Sequence, residues 1–255
     1  MDGLDPTAAG GFGKAADAYE RGRPDYPKAA VDLLVEKLRI GSEAVVVDLG
    51  AGTGKWTRML LPTGAQLVAI EPVDEMRAKF GELNPKVLIA PGSAEFITLP
   101  TATVDVVTCA QSFHWFQGPL ALREIHRVLV PRGGLGLLWN ARDESVEWVA
   151  QLSLLIDRYS GAAPRYRTGA WRKAFRDASL FTELQYRTFR HVQTCDLPTL
   201  LDRVGSISYV AALADGERRG VLEEVRRLVE HHPDTAGKAF LEFPYRTDVY
   251  WCFKA

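Results

Sequence analysis

Very little in this sequence is in surplus. Its 31 Lys and Arg nearly balance 32 Asp and Glu, leaving a formal net charge of −1 over 255 residues. No global positive field exists to draw in a nucleic-acid backbone. The three cysteines, Cys109, Cys195 and Cys252, are odd in number and far apart. That suits neither a disulfide framework nor a zinc site, and implies a reducing compartment and no metal. No apolar run reaches the ~18 residues of a membrane span, and the stretch MDGLDPTAAGGFGK lacks a signal peptide's basic start and apolar core. These absences predict a cytoplasmic protein with neither a membrane nor a nucleic-acid partner. Low-complexity tracts and internal repeats are missing too, which excludes solenoids and propellers. A hydrophobic content of 47% and a charged content of 25% fit an ordinary globule with one substantial core.

What is present is ordered alternation. Residues 1–13 are small, polar and Gly-rich and read as a mobile end. AADAYERGRPDYP turns from helical composition to proline punctuation at Pro24 and Pro27, and PKAAVDLLVEKLRI places Val31, Leu34, Val35 and Leu38 on one helical face, with Gly41 as the expected stop. Five short, nearly continuous apolar runs follow: VVVDL, QLVAIE, KVLIA, VDVVTCA and LGLLW. Continuous runs, rather than alternating ones, suit strands covered on both faces. Helical patterns KWTRMLL, DEMRAKFGEL and PLALREIHRVL lie between them, the last closed by Pro131 and Gly133–Gly134. Strand, helix and strand repeated in this way predict an α/β, doubly wound, Rossmann-like parallel sheet. Beyond residue 141, WVAQLSLLIDRYS, TLLDRVGSISYVAAL and ERRGVLEEVRRLVEHH read as helices capping the ligand face. LQYRTFRHVQT reads as β-rich, and FPYRTDVYWCFKA as an antiparallel closing edge strand of a seven-stranded sheet.

In such sheets ligands sit beyond the carboxyl ends of the strands, so the first strand-to-helix turn is informative. Here it is Asp48-Leu49-Gly50-Ala51-Gly52-Thr53-Gly54. Glycine permits φ > 0 and lets a ligand approach without striking a Cβ. A dinucleotide fingerprint would need its third glycine where Lys55 stands, and a phosphate-binding loop would need other residues than Leu49 and Trp56. The remaining pattern, acid-x-G-x-G-x-G, resembles motif I of the class I S-adenosylmethionine-dependent methyltransferases.

The resemblance extends through most of the chain. Glu71-Pro72 at the end of the second strand and Met76 in EPVDEM match positions that hold ribose and pack near adenine. Ser93, Ala94 and Glu95 match the loop lying along the adenine. Gln111, Ser112, Phe113 and His114 stand in AQSFHWF, similar to the AQAFHWF signature of a small-molecule branch that includes trans-aconitate methyltransferase-like, methyltransferase type 11-like proteins. REIHRVLVPRGG resembles the R-V-L-x-P-G-G segment, with Arg132 inserted, and FGKAADAYERGRPDYP matches an N-terminal pattern whose helix closes over the cofactor.

What the resemblance implies is a single domain over 1–255: N-terminal lid helices at 1–40, a cofactor-binding core at 41–141, cap insertions at 142–180 and 196–235, and closing strands at 181–195 and 240–255. It implies S-adenosylmethionine as cofactor, with S-adenosylhomocysteine as product, and a small-molecule acceptor methylated in line on O, N or C, by a monomer or homodimer. The implied cofactor set is Tyr19, Arg23, Asp48, Gly50, Ala51, Gly52, Thr53, Gly54, Glu71, Pro72, Met76, Ser93, Ala94, Glu95, Gln111, Ser112 and Phe113. His114 and Tyr19 are the candidate catalytic residues. Asp48 could instead cap a helix, and His114 could be a pocket wall rather than a general base. A [DN]-P-P-[YF] motif, expected of exocyclic-amine DNA methylation, is replaced by QSFHWF. A non-methylating or regulatory S-adenosylmethionine binder is the alternative. Arg165, Arg167 and Arg172, interleaved with Tyr166 and Trp171, read as a solvated face. Trp115, Phe116, Trp139, Tyr166, Trp171 and Tyr209 point to a partly apolar or planar acceptor.

Overall fold

The computed structural model describes residues 16–176 and 179–255. The expected polar end at 1–13 and the first residues of the FGKAADAYERGRPDYP pattern lie outside the described residues.

Two helices open the described chain, α1 (Ala16–Gly22) and α2 (Lys28–Lys37). The left-handed residue that ends α2 is Arg39 at φ 55 rather than Gly41; the helix is capped through Leu38 and Ile40 before the glycine is reached. Then come β1 (Val45–Leu49), α3 (Lys55–Leu60), β2 (Gln66–Ile70), α4 (Asp74–Leu83), β3 (Leu88–Ala90), β4 (Val104–Ala110), α5 (Gly118–Val128) and β5 (Leu129–Arg142). Helix α5 ends at Val128, before Pro131 is reached, so the segment Pro131 to Gly134 does not close it. That segment is an irregularity inside β5, whose pairing with β4 jumps from Val104↔Leu129 to Val106↔Gly134, with Arg132 at φ 63.

The remaining elements are α6 (Glu147–Asp157), β6 (Gln185–Cys195), α7 (Leu197–Gly205), α8 (Ser208–Ala211), α9 (Asp215–His231) and β7 (Leu241–Phe253). TLLDRVGSISYVAAL, expected as one helix, is two. Asp196 caps the first by accepting from the Thr199 N–H at 2.9 Å, and the chain leaves helical geometry after Gly205, where the Ser206 hydroxyl bonds back to the Arg203 carbonyl.

The seven strands form one sheet in the order β3-β2-β1-β4-β5-β7-β6. The first five are parallel, and β7 runs antiparallel to both neighbours. The C-terminal strand is therefore antiparallel as expected, but it lies one place in from the edge, with β6 outside it. Strand order reverses between β1 and β4, which puts the loops after those two strands side by side.

One sheet face packs on α5 and Trp171, the other on α2 and on Trp56 of α3. A third apolar cluster joins the first half of β7 to α6, α7 and α9. In α9, Val221, Val225 and Val229 are buried at helical spacing. All three cysteines are buried and unpaired. Among the described residues no helix is long and apolar enough to cross a membrane, and no cluster of His, Cys, Asp or Glu is arranged to hold a metal.

Candidate functional site

The loop after β1 has all three of its glycines left-handed, at φ +71 for Gly50, +57 for Gly52 and +86 for Gly54. They serve different ends. A Cβ on Gly54 would lie 2.4 Å from Asn84 Nδ2 and 2.8 Å from the Phe80 ring, and one on Gly50 would lie 2.7 Å from Ser112 Cβ; one on Gly52 would meet nothing within 4 Å. Two glycines admit protein packing, and the third faces open space. The loop is tied to the end of β2 by the Gly50 N–H donating to the Ile70 carbonyl at 2.8 Å, and the Ser112 hydroxyl donates to the Leu49 carbonyl at 2.9 Å.

Two buried carboxylates flank this loop. Glu71, 6% exposed, accepts from the Gly52 N–H at 2.9 Å and the Val73 N–H at 3.0 Å. Burial raises its pKa, and these two bonds oppose the rise. Asp48, 2% exposed, accepts from the Thr57 hydroxyl at 2.5 Å through one oxygen, while the other is buried with no partner. Burial pushes its pKa up to about 7, against the Thr57 bond and with a smaller push from Glu71. Trp56, where a phosphate-binding loop would carry a hydroxyl, is buried and donates to Thr108.

A crevice of about 70 Å³ lies over the loop, lined by Tyr19, Gly50, Gly52, Glu71, Pro72, Val73, Met76, Ala110, Gln111, Ser112, Trp115 and Phe116. Helix α1 covers it. Glu20 accepts from the Thr53 hydroxyl at 2.6 Å and pairs with Arg58 and Lys55, and Asp17 pairs with Lys79 of α4. Gln111 is held at φ 61, an uncommon conformation for a residue with a Cβ. It sits at the end of β4, where its N–H donates to the Leu138 carbonyl.

Beyond Tyr19, Gln111 and Trp115, which line both spaces, a cavity of about 580 Å³ opens. Seven arginines line it, Arg23, Arg142, Arg165, Arg167, Arg172, Arg203 and Arg246, against three carboxylates, Asp143, Glu144 and Asp157. The expectation of a solvated face holds for Arg167 and Arg172, which are exposed, and fails for Arg165, whose Nε and Nη1 are buried. The segment carrying them is clasped to the sheet by Tyr166, whose hydroxyl donates to buried Asp248 at 2.6 Å and whose ring stacks on Trp139 at 4.5 Å. The expected apolar or planar lining is present only in part, beside the seven arginines. Trp139 and Trp171 are core residues, and Tyr166, Tyr209 and Trp115 supply the cavity's aromatic wall.

His114 also lines this cavity. Its Nδ1 lies 3.1 Å from the Trp139 indole nitrogen. An indole N–H can only donate, so Nδ1 accepts and the ring's proton sits on Nε2. Burial and the nearby Arg23 charge push its pKa down to about 3, which keeps it neutral. Burial raises the Tyr19 phenol.

Of the residues expected around a cofactor, Tyr19, Gly50, Gly52, Glu71, Pro72, Met76, Gln111 and Ser112 converge on the crevice. Asp48, Ala51, Thr53 and Gly54 belong to the same strand end and loop but do not line the crevice. Arg23 faces the larger cavity instead. Phe113 packs against Phe116, Trp171 and Phe175. Ala94 is core, Glu95 accepts from the Gln117 N–H, and Ser93 bridges Phe96, so none of the three lines the crevice. Sequence reasoning missed Arg142, Arg203, Arg246 and Asp157. One signal was available: Arg203 interrupts the apolar stripe of Leu200 and Val204 on α7.

A family model described as a methyltransferase domain matches residues 47–137. An uncharacterized methyltransferase of Mycobacterium tuberculosis is 38% identical over 236 residues, 92% of either chain. An uncharacterized methyltransferase-like protein of Schizosaccharomyces pombe is 33% identical over 230 residues, 90% of either chain. Among solved structures, one described as a type II methyltransferase from Anaeromyxobacter dehalogenans superposes with a TM-score of 0.64 at 23% identity, covering 91% of this chain and 96% of that one.

Proposed function

This chain belongs to the methyltransferase family, and on that premise we propose that it transfers a methyl group from S-adenosylmethionine to an oxygen of a small carboxylic acid. The observation that carries the reading is the junction of two spaces at Tyr19, Gln111 and Trp115: a glycine-floored crevice on one side and an arginine-lined cavity on the other.

The crevice residues fit such a cofactor. The buried, partnerless oxygen of Asp48 is an acceptor awaiting a donor, as an ammonium group would be. Glu71 keeps lone pairs beyond the two it gives to Gly52 and Val73, enough for ribose hydroxyls. Pro72 and Met76 offer an apolar wall for adenine, and Gly52 leaves its space clear. The crevice alone is below the ~300 Å³ at the small end of ligand pockets, so Tyr19 and Phe116 must shift as the ligand enters.

Bound S-adenosylmethionine supplies an electrophilic methyl on a sulfonium, already activated for displacement. The protein's part is to hold the acceptor in line with that methyl and to exclude water. His114 cannot take a proton, because Nδ1 is engaged by Trp139 and Nε2 already carries one; it donates to the acceptor from Nε2. Tyr19 is a half-buried phenol whose pKa is raised, so it stays neutral. With no base among the described residues at the junction, the nucleophile has to arrive at neutral pH with a reactive lone pair already free, which a carboxylate does and an alcohol or a protonated alkylamine does not. The arginines attract such an acceptor and fix its orientation.

Isothermal titration with S-adenosylmethionine, S-adenosylhomocysteine and NAD, followed by methyl transfer to a panel of carboxylic acids, tests this. Expected are micromolar binding of both sulfur ligands, none of NAD, at least a tenfold loss in Glu71→Ala, and a product whose methyl is released as methanol by mild base. Binding of NAD would overturn the cofactor assignment. A base-stable product would overturn the carboxylate acceptor, and binding of the sulfur ligands without transfer to any acid would favour a non-methylating role.

A further inference from the structure

The arginines of the larger cavity are not equally neutralised. Asp157 pairs with Arg167 and lies 3.4 Å from Arg165 and 3.8 Å from Arg142; Glu144 lies 3.3 Å from Arg167. Arg246 pairs with Asp248, and Arg172 donates to the Tyr250 hydroxyl. Arg172 is exposed and Arg23 and Arg203 are not, although among the described residues all three have only neutral partners. Arg23 donates to the Ser206 hydroxyl at 3.2 Å and its carbonyl at 3.0 Å, and Arg203 Nε donates to the Tyr245 hydroxyl at 3.2 Å. All three acceptors are neutral, and among the described residues neither guanidinium pairs with a carboxylate. Arg203 is only 7% exposed, and its Nη1 is buried with no hydrogen-bond partner.

These groups are held rigidly. A Cβ on Gly22 would lie 2.3 Å from the Arg203 nitrogen, so α1 and α7 touch backbone to backbone there. The Tyr245 hydroxyl donates on to Gln193 Oε1 at 3.2 Å, and Gln193 Nε2 donates to the Gly22 carbonyl at 3.0 Å. This chain of bonds joins β6, β7, α7 and the residue before Arg23. The break after α7 is what frees the Ser206 carbonyl for Arg23.

We propose that Arg23, Arg142 and Arg203 form an oxyanion subsite that anchors a second acidic group of the acceptor, one that is not methylated. The proposal rests on reading the larger cavity as the acceptor site. Burying guanidinium groups without countercharge is costly, and a ligand oxyanion supplies both the charge and the acceptor that Arg203 Nη1 lacks. Burial and mutual repulsion lower the pKa of Arg23 to about 10 and lower that of Arg142, yet Arg23 remains charged at neutral pH. An oxyanion neutralised by three guanidinia is a poor nucleophile. The group they hold is thus the anchor, and the reacting carboxylate sits at the Tyr19, Gln111 and Trp115 junction, beside His114.

The test is titration of the S-adenosylhomocysteine-saturated protein with glutarate, butyrate and inorganic phosphate. Glutarate is expected to bind at least tenfold more tightly than butyrate. Arg203→Gln removes that advantage by about 10–100-fold, while Arg203→Lys, which keeps the charge, loses less. In Arg203→Gln, S-adenosylhomocysteine affinity is unchanged, and for an accepted diacid KM rises with little change in kcat. Phosphate binding more tightly than glutarate, and equally dependent on Arg203, identifies the anchored group as a phosphate ester and upholds the subsite. Glutarate binding no more tightly than butyrate, or unaffected by Arg203→Gln, overturns it. Failure of the cofactor reading is visible separately as loss of S-adenosylhomocysteine binding, because the acids can also be titrated into cofactor-free protein.

Discussion

Asp48 concentrates the energetics of the cofactor end in one side chain. Its folded pKa of about 7 lies above the ordinary value of 3.8 because burial penalises the charged form. The folded state therefore holds a proton that the unfolded chain releases between those two values. Stability from this group is fully present below about pH 4 and is lost as pH rises through 7. Asp48→Asn keeps an acceptor for Thr57 and removes the ionisation. Without ligand it should gain of the order of 3 kcal/mol over the parent at pH 8 and little at pH 4, read as the difference in denaturant midpoint. The same substitution should weaken S-adenosylmethionine binding. Equal pH slopes for the two proteins would show that Asp48 is not the titrating group. The sequence put Asp48 at the end of a strand, where the structure has it, and left open whether it capped a helix; only the partnerless oxygen points beyond capping.

The glycine loop and the broken helix show what an element adds to its residues. All three glycines are alike in sequence, and their left-handed backbones are what a tight strand-to-helix turn demands. Their surroundings separate them. Gly54→Ala should cost about 2–4 kcal/mol through its backbone and its collision with Asn84 and the buried Phe80 ring. Gly52→Ala should cost about 1–2 kcal/mol yet abolish cofactor binding by filling open space. Thermal melts paired with ligand titration distinguish them, and a Gly52→Ala protein that binds normally would mean that the ligand does not pass over this residue. Strands β1 to β4 and their helices were readable because continuous apolar runs and 3.6-residue patterns are local signals. The break after Gly205 was not, since it depends on one hydroxyl turning back to the Arg203 carbonyl.

At the scale of the whole molecule, α1 is fixed at Gly22 against the backbone of α7, and its other fastenings are weaker. Several of its fastenings are ion pairs with exposed partners, such as Arg21 with Asp202 and Asp17 with Lys79, and such pairs contribute about 0–1 kcal/mol each. The crevice beneath it is too small for a nucleoside until Tyr19 shifts. Hydrogen exchange of the backbone at 16–24 should therefore slow on addition of S-adenosylhomocysteine and stay unchanged with NAD. Exchange unaltered by a ligand that demonstrably binds would show that α1 is already closed and that the crevice widens elsewhere, at Phe116.

The sequence by itself determined the alternation of strands and helices, the loop chemistry that excludes a pyrophosphate, and the two carboxylates at Asp48 and Glu71. These rest on neighbours within a turn or a strand, whose spacing is written in the chain. The tertiary structure alone decided the arginine cavity. Arg23, Arg142, Arg165, Arg203 and Arg246 are separated by up to 223 positions, and apart from Arg23 in the lid pattern and Arg203 in the stripe of α7 each looks like ordinary surface charge in its own segment. Only the packing of α1 on α7, the clasp of Tyr166 on Asp248 and the placing of β7 between β5 and β6 bring them to one cavity, because charge takes its meaning from the groups around it in space.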